Sequence, residues 1–223
     1  MNKLTIALIV FFVAACNNGG PKTTTIDEEE ITLPYYEEAT FTPRWFSIKE
    51  DVPVDFHQIP EFNLFNQYGS EVTAKDLDSK ISIVNFFFTT CPGICPKMMA
   101  NMYMIQDELQ EKDKALFLSY SVTPEMDGIE ELKVYAEKNE IVNKSWFLLT
   151  GDREQIYDLG RNQFFVEEDM GIAKGPDDFL HTENILLIDG DRHIRGIYNG
   201  LNKTAIQQLL TDFKTLEAEL TDK

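Results

Sequence analysis

Two cysteines, Cys91 and Cys95, are the side chains of this sequence best placed to do chemistry. They follow an apolar run at residues 81–88, typical of a central strand buried on both faces, and precede a helix predicted over residues 97–110. Active groups in open α/β sheets gather where strand ends lead into helix N-termini. A thiol at such a junction experiences partial positive charge and ionises more easily, and the thiolate is both a nucleophile and a metal ligand.

The spacing of this pair is open to two interpretations. In an exported protein, cysteines at positions 91 and 95 could form a plain disulfide. Such a disulfide would close a very small loop and stabilise the fold little, so the spacing favours a chemical role. The loop between the sulfurs is one residue longer than in thioredoxins, which lets both sulfurs converge on an ion about as readily as they bond each other.

The ligand types available in the sequence favour copper. Two soft thiolates suit Cu(I), whereas a structural zinc site needs four ligands. Beyond the N-terminal segment, the strong candidates are the two cysteines and one histidine, and imidazole tolerates both Cu(I) and Cu(II). Met98 and Met102 also carry soft sulfur, but their helical spacing predicts core positions rather than a copper entry path.

Three histidines compete for the role of third ligand. His57 precedes a predicted hairpin and His193 alternates with Ile194 on a polar hairpin, so we expect both at the solvated surface. His181 lies in a loop just ahead of a strand, and in a thioredoxin-like sheet that loop lies beside the cysteine turn. Position alone leaves the role of His181 open.

The N-terminus predicts export and a lipid anchor. Lys3 is followed by an apolar stretch at residues 4–13, which is too short to span a bilayer but typical of a signal peptide. Ala14 and Ala15 then precede Cys16, an arrangement that resembles the lipobox of bacterial lipoproteins, in which the cysteine is acylated. The alternative is an ordinary signal peptide with an incidental Cys16. With an acylated Cys16, the three cysteines become one anchor and one pair.

The predicted organisation has three parts. Residues 1–15 are the signal peptide, residues 16–50 comprise the lipidated Cys16, an acidic tether and an aromatic arm, and residues 51–223 form the folded domain. We expect the protein in the bacterial cell envelope, lipid-anchored to a membrane with its domain in the periplasm. The formal net charge of −18 repels phosphate backbones, so we expect no nucleic-acid partner.

The order of predicted elements indicates an α/β protein with a thioredoxin-like fold. Strands alternate with helices, and a β-hairpin and a helix end the chain, which gives a mixed central sheet flanked by helices. An N-terminal β-hairpin precedes this core, and the later β-hairpin contains an Asp-Gly turn. The predicted strands are residues 62–65, 71–73, 81–88, 115–122, 145–149, 184–188 and 193–198, and the predicted helices are residues 97–110, 129–139, 153–162 and 203–220.

Three segments resemble the Sco/SenC family of copper-delivery proteins. Residues 90–96, Thr-Cys-Pro-Gly-Ile-Cys-Pro, are similar to the family's Cys-Pro-x-x-Cys-Pro motif. Residues 121–127 resemble its second signature, and residues 180–182 fall where the family carries its ligand histidine. The resemblance covers residues 58–215.

The resemblance implies a copper site made of Cys91, Cys95 and His181. It also implies delivery of that copper to the CuA centre of cytochrome c oxidase, so the expected partner is subunit II of the oxidase or another cuproprotein. The chain departs from the family at Gly93, where an acidic residue is common, and at Thr123 and Leu180, where Asp is common. Carboxylates around a metal site orient its ligands, and their removal typically weakens binding ~10–100-fold.

Three functions are compatible with such a site. The first is a metallochaperone, which passes copper by ligand exchange and is not an enzyme in the turnover sense. The second is a thiol–disulfide oxidoreductase that reduces the cysteines of a cuproprotein. Thioredoxins place a cis-proline before the strand facing the cysteines, and residues 180–188 contain no proline. The third, a thiol peroxidase, needs Thr three residues before the reactive cysteine, where this chain has Phe88.

Overall fold

A computed structural model describes residues 32–46, 52–91, 93–109, 111–141, 144–166, 180 and 182–221. The predicted signal peptide, Cys16, the acidic tether and His181 lie outside these residues. No helix within the described ranges is long and apolar enough to cross a membrane. The strands are β1 (Asn63–Asn66), β2 (Glu71–Thr73), β3 (Ile81–Phe87), β4 (Ala115–Ser121), β5 (Trp146–Thr150), β6 (Asn184–Ile188) and β7 (Ile194–Asn199), and the α-helices are α1 (Cys95–Leu109), α2 (Ile129–Lys138), α3 (Arg153–Asp158) and α4 (Lys203–Thr221).

These strands form one sheet in the order β2-β1-β5-β4-β3-β6-β7. β4 pairs in parallel with both β3 and β5, whereas β6 runs antiparallel to β3. Antiparallel hairpins, β1–β2 and β6–β7, form the two edges of the sheet. This arrangement confirms the predicted α/β, thioredoxin-like fold with a mixed central sheet, an N-terminal hairpin and a late hairpin.

The strand that leads to the cysteines, β3, lies inside the sheet, and all of its residues are buried. Phe87 packs on one face with residues of α1, α2 and α4, whereas Phe86 packs on the other face with residues of α3. Coverage on both faces explains why this strand is a continuous apolar run rather than an alternating pattern. On α1, Met98 and Met102 are fully buried, which confirms their predicted core positions.

The helix predicted over residues 153–162 is interrupted. α3 covers its first part, and a π-helical turn, Leu159–Gln163, follows. In this turn the N–H of Phe164 donates to the Leu159 carbonyl oxygen at 2.7 Å. The wider turn allows Leu159 and Phe164 both to be buried, with the Phe164 ring against Phe86.

The turn of the β6–β7 hairpin contains the predicted Asp-Gly step, but the left-handed residue is Arg192, with φ 70°, rather than Gly190. The N–H of Arg192 donates to the Asp189 carbonyl oxygen at 3.0 Å. Gly190 is required for a different reason, since a Cβ at this position would lie 2.9 Å from the Cα of Ser79. The glycine therefore permits a close approach between two main-chain segments.

The aromatic arm, residues 33–46, packs against β7. Tyr36 forms a β-bridge with Ile194, and the guanidinium carbon of Arg195 lies 3.8 Å from the centre of the Tyr35 ring. Arg195 also donates to the carbonyl oxygen of Leu33 at 2.8 Å. A buried arginine thus holds the start of the arm through both hydrogen bonding and its face-on contact with an aromatic ring.

The prediction that His193 lies at the solvated surface was wrong. His193 is 5% exposed, and its ring packs edge-on against Tyr35 at 5.4 Å and Phe56 at 5.9 Å between centroids. The polar alternation of the hairpin suggested a solvent-facing side chain, but aromatic rings from distant parts of the sequence cover it. His57 is half-buried, with its Nε2 2.8 Å from the carbonyl oxygen of Gln163.

The substitution Gly190→Ala is expected to lower the free energy of unfolding by about 1–3 kcal/mol, because the new methyl group would overlap the main chain of Ser79. Urea unfolding followed by circular dichroism measures this loss. Gly93→Ala is the matched control, since a Cβ at Gly93 meets no atom within 4 Å. Its stability should stay within about 0.5 kcal/mol of the parent. Equal losses in both variants would contradict the close approach at Gly190.

Candidate functional site

The two cysteines lie at the predicted junction between the end of β3 and the start of α1. Cys95 is the first residue of α1 and Pro96 the second, where a missing N–H costs no helical hydrogen bond. The main chain of Phe88 contacts both cysteines. Its carbonyl oxygen accepts the N–H of Cys91 at 3.3 Å, and its N–H donates to the sulfur of Cys95. Both cysteines are free thiols.

Cys91 is half-buried and lies just before the N-terminus of α1. The N–H groups of Gly93, Ile94 and Cys95 donate to the Cys91 sulfur, and so does the thiol of Cys95. Burial opposes ionisation, but these hydrogen bonds outweigh it and hold the pKa of Cys91 below its usual value. The unpaired N–H groups of a helix N-terminus favour negative charge, so Cys91 is the member of the pair that forms a thiolate more easily.

Cys95 has the opposite character. Its side chain is buried, and burial raises the pKa of Cys95 to about 12, with a further contribution from the hydrogen bond that it donates to Cys91. The S–H of Cys95 therefore points at the Cys91 sulfur. This hydrogen bond places the two sulfurs side by side.

A buried carboxylate, Asp127, contacts the loop that joins β3 to α1, the cysteine loop. Its Oδ1 accepts a hydrogen bond from the Thr89 hydroxyl at 2.5 Å, and its Oδ2 accepts from the hydroxyls of Ser121 at 2.6 Å and Thr123 at 2.9 Å. Thr89 lies two residues before Cys91, so the carboxylate joins the cysteine loop to the end of β4. Asp127 lies in the segment predicted to be the second signature of the family, but its contact with Thr89 was not predicted, because no sequence pattern links residues 38 positions apart.

The predicted histidine ligand, His181, lies outside the described residues, but its two neighbours in the chain are described. Leu180 and Thr182 line a narrow crevice that is also lined by Cys95. Leu180 is 1% exposed and packs so closely on the π-helical turn that a Cβ at Gly160 would lie 2.5 Å from its Cδ1. The residues on both sides of position 181 therefore lie at the same crevice as Cys95.

Another group of potential ligands among the described residues consists of Asp189, Asp191 and His193. This group follows β6, which ends beside the start of β3, whereas the cysteines follow the end of β3. Arg195 donates to the carboxylate of Asp189 at 3.0 Å. Because a cation already neutralises that carboxylate, we assign the group to the structure of the hairpin rather than to metal binding.

The range matched by a family model includes both cysteines and the folded domain described above. The model, described as SCO1/SenC, matches residues 52–216. The chain belongs to the SCO1/SenC family. The family assignment confirms the resemblance predicted from the three sequence motifs.

Solved structures of family members superpose on the chain. A SCO1/SenC family lipoprotein from Bacillus anthracis has a TM-score of 0.63 and 30% identity over 72% of this chain and 95% of its own. BsSco, a member of the Sco family of cytochrome c oxidase assembly proteins in which a disulfide switch is identified, has a TM-score of 0.62 and 27% identity over 78% and 99%. Copper-bound ScoI from Bradyrhizobium japonicum has a TM-score of 0.56 and 24% identity over 70% and 98%, which shows a shared fold.

The three departures from the family motifs have different local settings. At Thr123 the hydroxyl donates to Asp127, and a carboxylate there would face another carboxylate. At Leu180 the side chain is buried in an apolar setting that includes Phe86, where an Asp would lose its hydration. At Gly93 a Cβ would meet open space, so packing does not require the glycine.

Iodoacetamide is expected to modify Cys91 at least ~10-fold faster than Cys95 in the reduced chain at pH 8. The reason is that Cys91 is half-buried with a lowered pKa, whereas Cys95 is buried with its pKa raised to about 12. Mass spectrometry of the two peptides at early reaction times gives both initial rates. In urea-unfolded chain the rates should agree within about twofold. Equal rates in the folded chain would refute the asymmetry of the two thiols.

Proposed function

We propose that this chain is a copper metallochaperone that delivers copper to the CuA site of cytochrome c oxidase subunit II or to another cuproprotein. Cys91, Cys95 and His181 would hold the copper. The observation that carries the proposal is the position of two free cysteines at the N-terminus of α1, with Cys91 just before the helix and Cys95 as its first residue. The pKa of each thiol depends on the other. A soft cation that displaces both thiol protons would gain two thiolate ligands.

The third ligand is proposed from the path of the chain. Leu180 and Thr182 line the crevice that Cys95 also lines, and consecutive Cα atoms are about 3.8 Å apart. His181 is bonded in the chain to two residues that line the same crevice as Cys95. A set of two thiolates and one imidazole suits Cu(I) and also accepts Cu(II). The copper-bound ScoI structure shares the fold that supports this arrangement.

The unequal exposure of the sulfurs supports transfer rather than permanent storage. Cys95 is buried within the core, whereas Cys91 is half-buried. A ligand from the partner can approach the exposed side of the copper while Cys95 still holds it. Exchange would then proceed one ligand at a time, and the copper would not pass through water.

A thiol–disulfide oxidoreductase is the second candidate, favoured by the different pKa directions of the two thiols. The Cys91 thiolate would attack a disulfide of the partner, forming a mixed disulfide and releasing one partner thiolate. Cys95, after losing its proton, would attack the Cys91 sulfur and release the second partner thiolate. Two electrons pass to the partner, and a Cys91–Cys95 disulfide remains. The disulfide switch identified in BsSco belongs to the same chemistry.

An anaerobic titration of the reduced full chain against a Cu(I) chelator tests the first candidate. We expect one tightly held copper, lost in Cys91→Ser and in Cys95→Ser. His181→Ala should weaken copper binding by roughly tenfold or more. The loss of a residue that only supports a metal ligand typically lowers metal affinity ~10–100-fold, and the loss of the ligand itself should cost at least as much. His57→Ala is the matched control and should leave the affinity unchanged, since His57 bonds to the carbonyl of Gln163.

The same titration separates the two candidates. If the wild-type chain releases all its copper to a weak chelator yet reduces the disulfide of a CuA-type domain, the proposal of an oxidoreductase is correct and that of a metallochaperone is wrong. An unchanged affinity in His181→Ala would remove that histidine from the site and leave a two-cysteine site.

We also propose that Cys16 carries a lipid anchor that holds the chain in the bacterial cell envelope with its domain in the periplasm. The small residues before Cys16 and the relationship to a SCO1/SenC family lipoprotein support this. In cells fed an alkyne fatty acid, the chain should incorporate the label and sediment with membranes. Cys16→Ser should lose both properties, whereas Cys91→Ser should keep them. Labelling that persists in Cys16→Ser would refute the anchor.

A further inference from the structure

The carboxylate of Asp127 is the most heavily hydrogen-bonded polar group near the cysteines. Asp127 is 1% exposed. Within the described residues its donors are the hydroxyls of Thr89, Ser121 and Thr123 and the main-chain N–H of Thr89, the last at 3.2 Å. A buried carboxylate is costly unless such donors satisfy it, so the arrangement around it is specific rather than incidental.

Two kinds of hydrogen bond meet at this carboxylate. Those from Ser121 and Thr123 are local, since both residues lie within six positions of Asp127. They shape the turn after β4, in which the N–H of Asp127 donates to the Thr123 carbonyl oxygen. Those from Thr89 come from 38 residues away and use both the hydroxyl and the main-chain N–H. An aspartate that only stabilises the turn would need only the local hydrogen bonds from Ser121 and Thr123.

The hydrogen bonds between Thr89 and Asp127 hold the main chain next to Phe88, the residue that contacts both cysteines. Thr89 is joined by one peptide bond to Phe88, whose carbonyl oxygen accepts the N–H of Cys91 and whose N–H donates to the sulfur of Cys95. A shift of Thr89 would move these two groups together. The carboxylate therefore acts on the cysteine pair through the main chain, without touching either sulfur.

We propose that Asp127 is a positioning residue that, through Thr89, holds the cysteine loop in the arrangement in which the two reduced sulfurs face each other. The hydrogen bonds of Thr89 and Asp127 are formed while both cysteines are free. The proposed role requires that closing the disulfide disturb them, so that the network favours the dithiol. This inference rests on the proposed function only in taking Cys91 and Cys95 as the working pair. It does not depend on copper.

The test measures the dithiol–disulfide equilibrium against a dithiothreitol buffer, without copper, in full chain carrying Cys16→Ser so that the pair contains its only cysteines. Asp127→Asn keeps the size of the side chain but removes the charge and one acceptor oxygen. We expect its equilibrium constant to move roughly tenfold toward the disulfide, equivalent to about 30 mV for this two-electron couple. Thr89→Val, which removes only the distant hydroxyl, should move it in the same direction.

Thr123→Val is the matched control, because it removes one hydroxyl from the same carboxylate but leaves the bonds to Thr89. Its equilibrium constant should stay within about twofold of the parent. Thermal unfolding of each variant shows whether it folds, and if Asp127→Asn does not fold, the comparison of Thr89→Val with Thr123→Val decides. A merely structural aspartate would give equal redox changes in both valine variants.

The proposal is overturned if Thr89→Val leaves the equilibrium unchanged, or if Thr123→Val moves it as far as Thr89→Val does. Copper retention is measured in parallel on the same samples. A wild-type chain that retains no copper would remove the proposed delivery function, yet the redox comparison would still stand or fall by itself.

Discussion

The site depends on the main chain of one residue at the end of the central strand. Phe88 follows β3, which is hydrogen-bonded to β4 on one side and β6 on the other and is buried on both faces. Its carbonyl and N–H groups each contact a different cysteine. Because β3 cannot move without disturbing two neighbouring strands, the point from which the cysteine loop departs is fixed. The sheet, rather than the short sequence of the loop, therefore fixes where the loop begins.

The different character of the two thiols follows from where each stands relative to α1. Cys91 lies before the helix, where the main chain of residues 93–95 favours its thiolate. Cys95 belongs to the helix, so its side chain points into the core, and burial keeps its proton on the sulfur. The spacing of the pair places one cysteine on each side of this boundary. A pair located wholly within the helix would have two buried thiols and no accessible thiolate.

The sequence could predict the parts of the structure that rest on local pattern. The apolar run at β3, the turn residues of both hairpins and the helical periodicity of α1, α2 and α4 predicted these elements to within about two residues. The cysteine pair was predictable because its position at a strand–helix junction is itself local. The interrupted helix at Leu159–Gln163, the burial of His193 and the role of Asp127 were not, because each depends on a partner distant in sequence. A polar alternation on β7 gives no sign that an aromatic arm will cover it.

Thr123, at a position where Asp is common in the family, affects how the hydrogen bonds around Asp127 are satisfied. Two carboxylates within hydrogen-bonding distance cannot both stay ionised at low cost, so such a pair needs a shared proton or a nearby cation. With Thr123 the network has one charge, on Asp127, and its other members are neutral donors. The cysteine loop is therefore joined to the end of β4 through one carboxylate and neutral donors, an arrangement that does not require a shared proton.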